Sequence, residues 1–373
     1  MNSYQMNRFR NRRFKWLMKI SSWISALPRK VTPAPFALMQ MGSVFWQSRA
    51  LYVGTKLEIA DVLKNDTKNT VTIAQELQLH EDHCYRLMRM LASIGVFKEI
   101  SHRVFKNTKM SNYLRKDNSQ NVRAMILMHN SPEMVKPWLE PLEDCIKSGD
   151  TPFEQTHGTG LFDYMNENKA FDSLFSEAMD TVEALTENTF LNDFNWSRFN
   201  RIVDLGGSKG SKSLSILAAN PEMSALVMDR PSIIDNAEKF WAGIISPQVL
   251  ERIDFLGGDI LEKIPDAVSD QDLFLCVAVF HALDDNACLK VLHNIKIAMN
   301  GIKATLVIAD AVAEEVGIEK NVASFDMQML IGCQGRERTL TEWNSLFEEA
   351  GFSLVELVDA TTFAKFIVLQ VRE

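Results

Sequence analysis

Residues 201–210 read Arg-Ile-Val-Asp-Leu-Gly-Gly-Ser-Lys-Gly, and the order of residue types in this stretch decides the fold. Ile202, Val203 and Leu205 form a short apolar run of the kind that ends a strand buried on both faces. Gly206, Gly207 and Gly210 follow as a tight turn. Ser211 to Ala218 then carries a helix pattern, with Leu214, Leu217 and Ala218 spaced to face a sheet. Strand, glycine turn and helix in succession receive a nucleotide-like ligand, because the missing Cβ atoms let it approach the backbone.

The spacing is Asp-x-Gly-x-Ser-x-Gly from Asp204 to Gly210, not the Gly-x-Gly-x-x-Gly of dinucleotide enzymes. An acidic residue ahead of the turn repels a pyrophosphate and attracts a cationic amine. S-adenosylmethionine (SAM) carries an ammonium and a sulfonium, so Asp204 suits it better than NAD. Alone the motif is weak, since many glycine turns only join a strand to a helix. Three later runs strengthen it. Leu226-Val227-Met228-Asp229 ends in a carboxylate about twenty residues beyond the turn, where the doubly wound design grips a ribose. Asp259 follows the run from Ile253, and the apolar run 272–279 ends on Phe280-His281. Each of these residues alone could be an N-cap or a loop residue; together they recur where such sheets bind ligands.

The chain has 373 residues, enough for two domains with substantial cores, and its 46% apolar and 24% charged residues are ordinary for a soluble globular protein. Cysteines 84, 145, 276, 288 and 333 form no Cys-x-x-Cys pair. Reduced thiols in a cytoplasmic protein are therefore expected, with no metal cluster. Charge is uneven: Met1 to Lys56 holds ten Lys or Arg and no Asp or Glu, while the whole chain has net charge −8. A basic amphipathic start such as 1–35 suits an anionic membrane surface or a mitochondrial address. The favoured reading is plainer, a loosely ordered arm or one that helps a neighbouring subunit. No apolar run reaches the ~20 residues that span a bilayer.

After Thr32-Pro33-Ala34-Pro35, residues 36–64 read as two helices, apolar at Leu38, Met41, Val44 and Phe45 and again at Leu57, Ile59 and Leu63. A short helix over 71–77, a turn with Asp82 as cap, a helix over 83–94 and a two-stranded wing from Val96 to Phe105 complete a helix-turn-helix with wing. Arg86, Arg89, Lys98, His102, Arg103 and Lys106 would serve a DNA reader. Dimerisation is favoured over DNA binding, because the body of the chain is acidic and nucleic-acid binding normally needs a basic face. Residues 120–196 read as a helical connection whose apolar residues Met125, Ile126, Met128, Trp138, Leu139, Phe162, Phe171, Phe175 and Met179 supply a surface rich in Met and aromatic side chains. Most of these are expected in the core, and some are expected to line a pocket for a flat apolar substrate.

The motifs VDLGGSKG, MDRP, GGDI, FHALDDNACLKVL, IADAV and GRERTLTEWNSLFEEAGF, in this order, resemble the plant-type and bacterial small-molecule O-methyltransferases, among them caffeic acid, acetylserotonin and polyketide O-methyltransferases. The likeness covers residues 36–373. It implies an α/β protein: a Rossmann-like SAM-dependent methyltransferase domain preceded by a mostly helical winged-helix dimerisation domain. The chain then divides into a basic arm 1–35, a winged-helix domain 36–119, a helical connection 120–196 lining the substrate pocket and a catalytic domain 197–373. Position by position, the resemblance puts Asp204 and Gly206 at the methionine end of SAM, Gly207, Ser208 and Gly210 with them in the cofactor loop, Asp229 at its ribose and Asp259 near its adenine. Met179 falls at the boundary of cofactor and acceptor, His281 is the base, and Asp310 and Glu337 flank it. The expected partners are a small hydroxylated acceptor and a second copy of the chain, with no metal and no nucleic acid.

Transfer of a methyl group from a sulfonium is an in-line displacement, so positioning the acceptor oxygen is the main task. A phenol with pKa near ~10 must also lose its proton, and a histidine can take it, steadied by a carboxylate. Ser208 stands where the family has a third glycine, and Leu283 where it often has a tryptophan that stacks on adenine. Ala282 and Val277 also depart from common family residues. Two alternatives stay open: a SAM-binding member with lost or diverted chemistry, and a winged-helix regulator that senses a metabolite.

Overall fold

The computed structural model describes residues 16, 20, 31–235, 237–362 and 364–372. Most of the basic arm, and with it the reading of an amphipathic membrane or targeting helix, lies outside the described residues. The chain separates into two compact units: Lys19–Glu140 with Phe162–Leu185, and Pro141–Leu161 with Thr186–Glu373.

The first unit opens with helices Ala34–Gly42, Val44–Lys56 and Ile59–Leu63, three where the pattern suggested two. The extra break falls at Ser43, inside the first apolar stripe, and a second at Glu58, whose φ of 58° lies in the left-handed region. Strand β1 (Thr67–Asn69) comes next, then helices Thr70–Glu76 and Glu81–Ser93, then β2 (Phe97–Ser101) and β3 (Val104–Asn107). The wing therefore has a third strand, and the small sheet runs β1-β3-β2 with antiparallel pairing. Asp82 sits inside the first turn of its helix; the N-cap is His80, whose ring nitrogen accepts the His83 N–H at 3.5 Å. Cys84, Met88 and Leu91, spaced four and three apart, turn one face of that helix onto Ile59, Leu63, Ile73, Phe97 and Phe105. Leu38, Met41, Val44 and Phe45, although periodic, are exposed along with Phe36, Met39 and Trp46. Of the apolar residues expected in the core of the connection, Met128 and Phe171 are buried, while Trp138, Leu139 and Phe162 are exposed.

The second unit holds seven strands: β4 (Arg201–Leu205), β5 (Ser224–Asp229), β6 (Ile253–Gly257), β7 (Asp272–Val277), β8 (Thr305–Ala311), β9 (Phe352–Asp359) and β10 (Ala364–Val371). Their order is β6-β5-β4-β7-β8-β10-β9. The first five pair in parallel, and β10 is inserted antiparallel to both β8 and β9, so the sheet is mixed rather than wholly parallel. Successive side chains go to opposite faces. Val203, Leu205, Phe274 and Cys276 join one core with Val291, Leu292 and Trp343; Ile202, Leu273 and Leu275 join the other with Leu214, Leu217 and Trp196. On helix Ser211–Ala219 the buried face is Ser213, Leu214, Ile216 and Leu217, and Ala218 is exposed, one step off the expected stripe. From β4 the chain winds outward through β5 and β6, then returns to place β7 on β4's other side. The carboxyl ends of β4 and β7 thus flank the point where strand order reverses, the crevice where open α/β sheets bind ligands.

Candidate active site

Two turns meet at that crevice. The first follows β4. Gly206 and Gly210 have φ of 72° and 80°, and Ser208 takes 52°, so it adopts the glycine-like conformation despite its side chain. A Cβ on Gly206 would lie 2.7 Å from Val279 Cγ2, and one on Gly207 would lie 2.5 Å from Asp204 Cγ. The turn thus packs too tightly for side chains at either place. Its backbone is tied down on both sides. Ser208 N–H donates to Asp229 Oδ2 at 2.7 Å, and the Trp241 indole N–H donates to the Lys209 carbonyl at 2.7 Å. The Lys209 ammonium lies over the Phe240 ring at 4.7 Å. Sequence reading missed Phe240 and Trp241; the adjacent aromatic pair shortly after Asp229 was the available signal.

Asp204 is 1% exposed and lies beneath this turn. Ser213 Oγ donates to its Oδ2 at 2.7 Å, while Oδ1 is buried without a hydrogen-bond partner. Burial pushes its carboxyl up to about 6, against the pull of the Ser213 hydrogen bond and Lys212. Burial also raises Asp229, opposed by the N–H groups of Arg230 and Ser208. An orphaned carboxylate oxygen under a glycine-rich turn, beside a second carboxylate, fits a cationic ligand that approaches the backbone. The residues present therefore fit SAM. Asp259 is exposed just beyond β6, where its Oδ1 accepts the Leu261 N–H at 2.8 Å, so it closes a local turn. Met179 is half-buried on helix Lys169–Asp193 in the first unit.

The second turn follows β7. Ala278, with φ of 53°, breaks the strand, and its N–H donates to Ala309 O at 3.1 Å. One turn of 3-10 helix, Phe280–Ala282, then carries His281. Phe280 is fully buried and anchors the turn, and its N–H donates to Asp310 Oδ2 at 3.1 Å. His281 Nδ1 lies 2.9 Å from Glu337 Oε1. Glu337 Oε2 is buried and unpartnered, and the Glu337 N–H donates to Asp326 Oδ1 at 2.9 Å. The structure thus gathers His281, Asp310 and Glu337 although 56 residues separate the first from the last. Burial alone would lower the imidazole's pKa, but Asp310 and Glu337 outweigh it and lift His281 to about 8. Asp310 is itself pushed up to about 6 by burial, restrained by His281. Asp326 was not foreseen, because it acts through a backbone N–H and leaves no residue-type signature.

This arrangement can hold an imidazole in one orientation next to a turn shaped for a cationic ligand. The O-methyltransferase domain matches residues 138–353, and the O-methyltransferase dimerisation domain matches residues 39–117. The phenazine O-methyltransferase PhzM of Lysobacter antibioticus is 29% identical over 86% of this chain and 92% of its own. The phenazine-1-carboxylate N-methyltransferase of Pseudomonas aeruginosa is also 29% identical, over 89% of this chain and 96% of its own. The crystal structure of human N-acetylserotonin methyltransferase in complex with SAM superposes with a TM-score of 0.79 at 20% identity, over 92% of this chain and 99% of that one. This chain belongs to the O-methyltransferase family of SAM-dependent enzymes that act on small-molecule metabolites.

Proposed function

We propose that this chain transfers a methyl group to a hydroxyl of a small aromatic or polyketide-like metabolite, with His281 as general base. SAM supplies a methyl group made electrophilic by its sulfonium. Asp204, the 206–210 turn and Asp229 would hold it, with Asp259 toward the adenine. The observation that carries the reading is the 2.9 Å contact between His281 Nδ1 and Glu337 Oε1. An ionised carboxylate only accepts, so Nδ1 keeps its proton and the lone pair of neutral His281 sits on Nε2. That nitrogen takes the hydroxyl proton, and Glu337 with Asp310 stabilises the resulting imidazolium. A base near 8 facing a phenol near ~10 leaves a proton transfer uphill by roughly 3 kcal/mol, small beside a methyl-transfer barrier.

A homodimer is part of the proposal. The matched dimerisation segment begins within the helices that expose Met39, Met41, Phe45 and Trp46, and an apolar face of this kind suits an interface.

The test pairs a panel of phenols and amines with SAM, then compares wild type with His281→Ala on the best acceptor. Turnover should fall by about 10²- to 10⁴-fold, while SAM affinity by calorimetry stays nearly constant. Equal loss of both removes the base role. An amine acceptor whose methylation survives the substitution would replace O-transfer with N-transfer, because a nitrogen lone pair needs no base.

A further inference from the structure

Glu337 and Arg338 are neighbours in sequence and grip the same turn from two directions. Glu337 takes the imidazole. Arg338, 0% exposed, uses its guanidinium on the backbone at either end of the turn. Nη1 donates to Phe280 O at 3.0 Å and Nη2 to Leu283 O at 2.8 Å. Nε and Nη2 both reach Asp285 Oδ1, at 3.0 and 2.8 Å. A planar fork that satisfies acceptors in different directions fixes orientation as well as distance, which an ammonium cannot do. Asp285 opens helix Asp285–Met299, and its other oxygen pairs with Arg336, so the clamp is seated on a regular element. Gly335 completes it: a side chain there would run into the His281 carbonyl oxygen.

The turn needs such holding. A single 3-10 turn has poor hydrogen-bond geometry, and it follows Ala278 in a conformation that disfavours non-glycine residues. Its own bonds are Ala282 N–H to Val279 O at 3.2 Å and Leu283 N–H to Phe280 O at 3.1 Å. Arg338 braces the first and last residues of that short path.

We propose that Arg338 is a positioning residue for methyl transfer: by tying Phe280, Leu283 and Asp285 together it fixes the turn on which His281 keeps Nδ1 against Glu337 and Nε2 free for the acceptor. The inference rests on His281 being the base, yet its geometry can be tested without turnover.

The experiment is a pH titration of the full-length protein with 13C-labelled histidine, followed by NMR. The His281 signal is identified by its loss in His281→Gln. The charged and titratable groups around the imidazole and its turn include Asp310, Glu337, Arg338, Asp285, Asp284, Arg336, Asp326 and Cys288, and the wild-type midpoint is expected at about 8. Arg338→Lys keeps the charge without the fork, and Arg338→Met removes both. If Arg338 positions the turn, the Glu337 contact loosens in each variant and the midpoint falls by about one pH unit or more toward the ordinary histidine value. Mere loss of a nearby cation would move it the opposite way. A midpoint that stays or rises in the folded variants overturns the proposal. If Arg338→Met does not fold, Arg338→Lys, which leaves the charge unchanged, decides by the same criterion. Failure of the base reading is seen separately, as undiminished turnover in His281→Ala.

Discussion

Replacing Glu337 by Gln keeps the shape of the side chain and removes the carboxylate 2.9 Å from His281 Nδ1. In the folded protein His281 titrates at about 8, against 6.5 for an ordinary histidine. The imidazole is 21% exposed, sheltered enough for the shift to count toward stability. At about 1.4 kcal/mol per pH unit, the shift amounts to about 2 kcal/mol of folding stability. Because the folded value lies above the unfolded one, that contribution is complete below pH 6.5 and disappears as pH rises through about 8. Burial alone would lower the imidazole, and Asp310 supplies part of the opposing attraction, so Glu337→Gln should remove about 1 kcal/mol or more of this pH-dependent term. Urea denaturation of wild type and variant at pH 6 and pH 9 measures it. The wild type should lose more stability than the variant between the two values, and the remaining titrating groups largely cancel in the difference. Parallel curves would refute the pairing of His281 with Glu337. The same pairing predicts that wild-type turnover climbs with pH to a plateau above about 8, since only about a tenth of His281 is neutral at pH 7.

Asp204→Asn should raise stability at neutral pH by about 1–3 kcal/mol, because burial lifts the folded pKa from 3.8 to about 6 and the penalty for the charge is complete above that value. Calorimetry on the same variant should show weaker SAM binding; equal affinity would separate Asp204 from the ligand. Gly335→Ala should cost about 1–3 kcal/mol, since the new Cβ meets the backbone of His281 and Ala282 rather than a side chain that can rotate away. An unchanged denaturation midpoint would show that the 335–338 segment does not press on the turn.

The parts of the fold legible in the sequence are those where one residue type has one physical use. The apolar runs ending at Leu205 and Asp229 are strands, the run 272–279 is one as far as Val277, and Gly206 and Gly210 occupy left-handed positions. Such signals are local. Strand β1 was missed because Thr-Lys-Asn is polar and largely exposed, paired through its backbone rather than by burial. The antiparallel β9–β10 hairpin escaped because an apolar strand does not reveal which way its neighbour runs. Leu38, Met41 and Phe45 have helical spacing, but periodicity cannot say whether an apolar face meets its own core or another surface. At the site, the end of an apolar run pointed to His281, whereas Asp310 and Glu337 came only from the resemblance to known O-methyltransferases. Asp326 and Arg338 act on backbone groups, and contacts of that kind leave no trace in residue types.

The buried charges explain why this edge of the sheet gives up stability. Asp204 and Asp310 are both pushed up to about 6, and Glu337 Oε2 and Asp204 Oδ1 lack partners. A structure optimised for stability would protonate or replace such groups, since an unpartnered buried carboxylate oxygen costs on the order of 1–3 kcal/mol. Both faces of the sheet are covered by apolar clusters, which leaves the strand ends as the place for polar chemistry. The same burial that makes Asp310 costly shields its attraction to the imidazole from water, so His281 is held charged above the ordinary histidine range. Removing the carboxylates one at a time should therefore make the chain more stable where burial leaves them without a cation, as at Asp204, and less stable where they hold one, as at Glu337 below about pH 8.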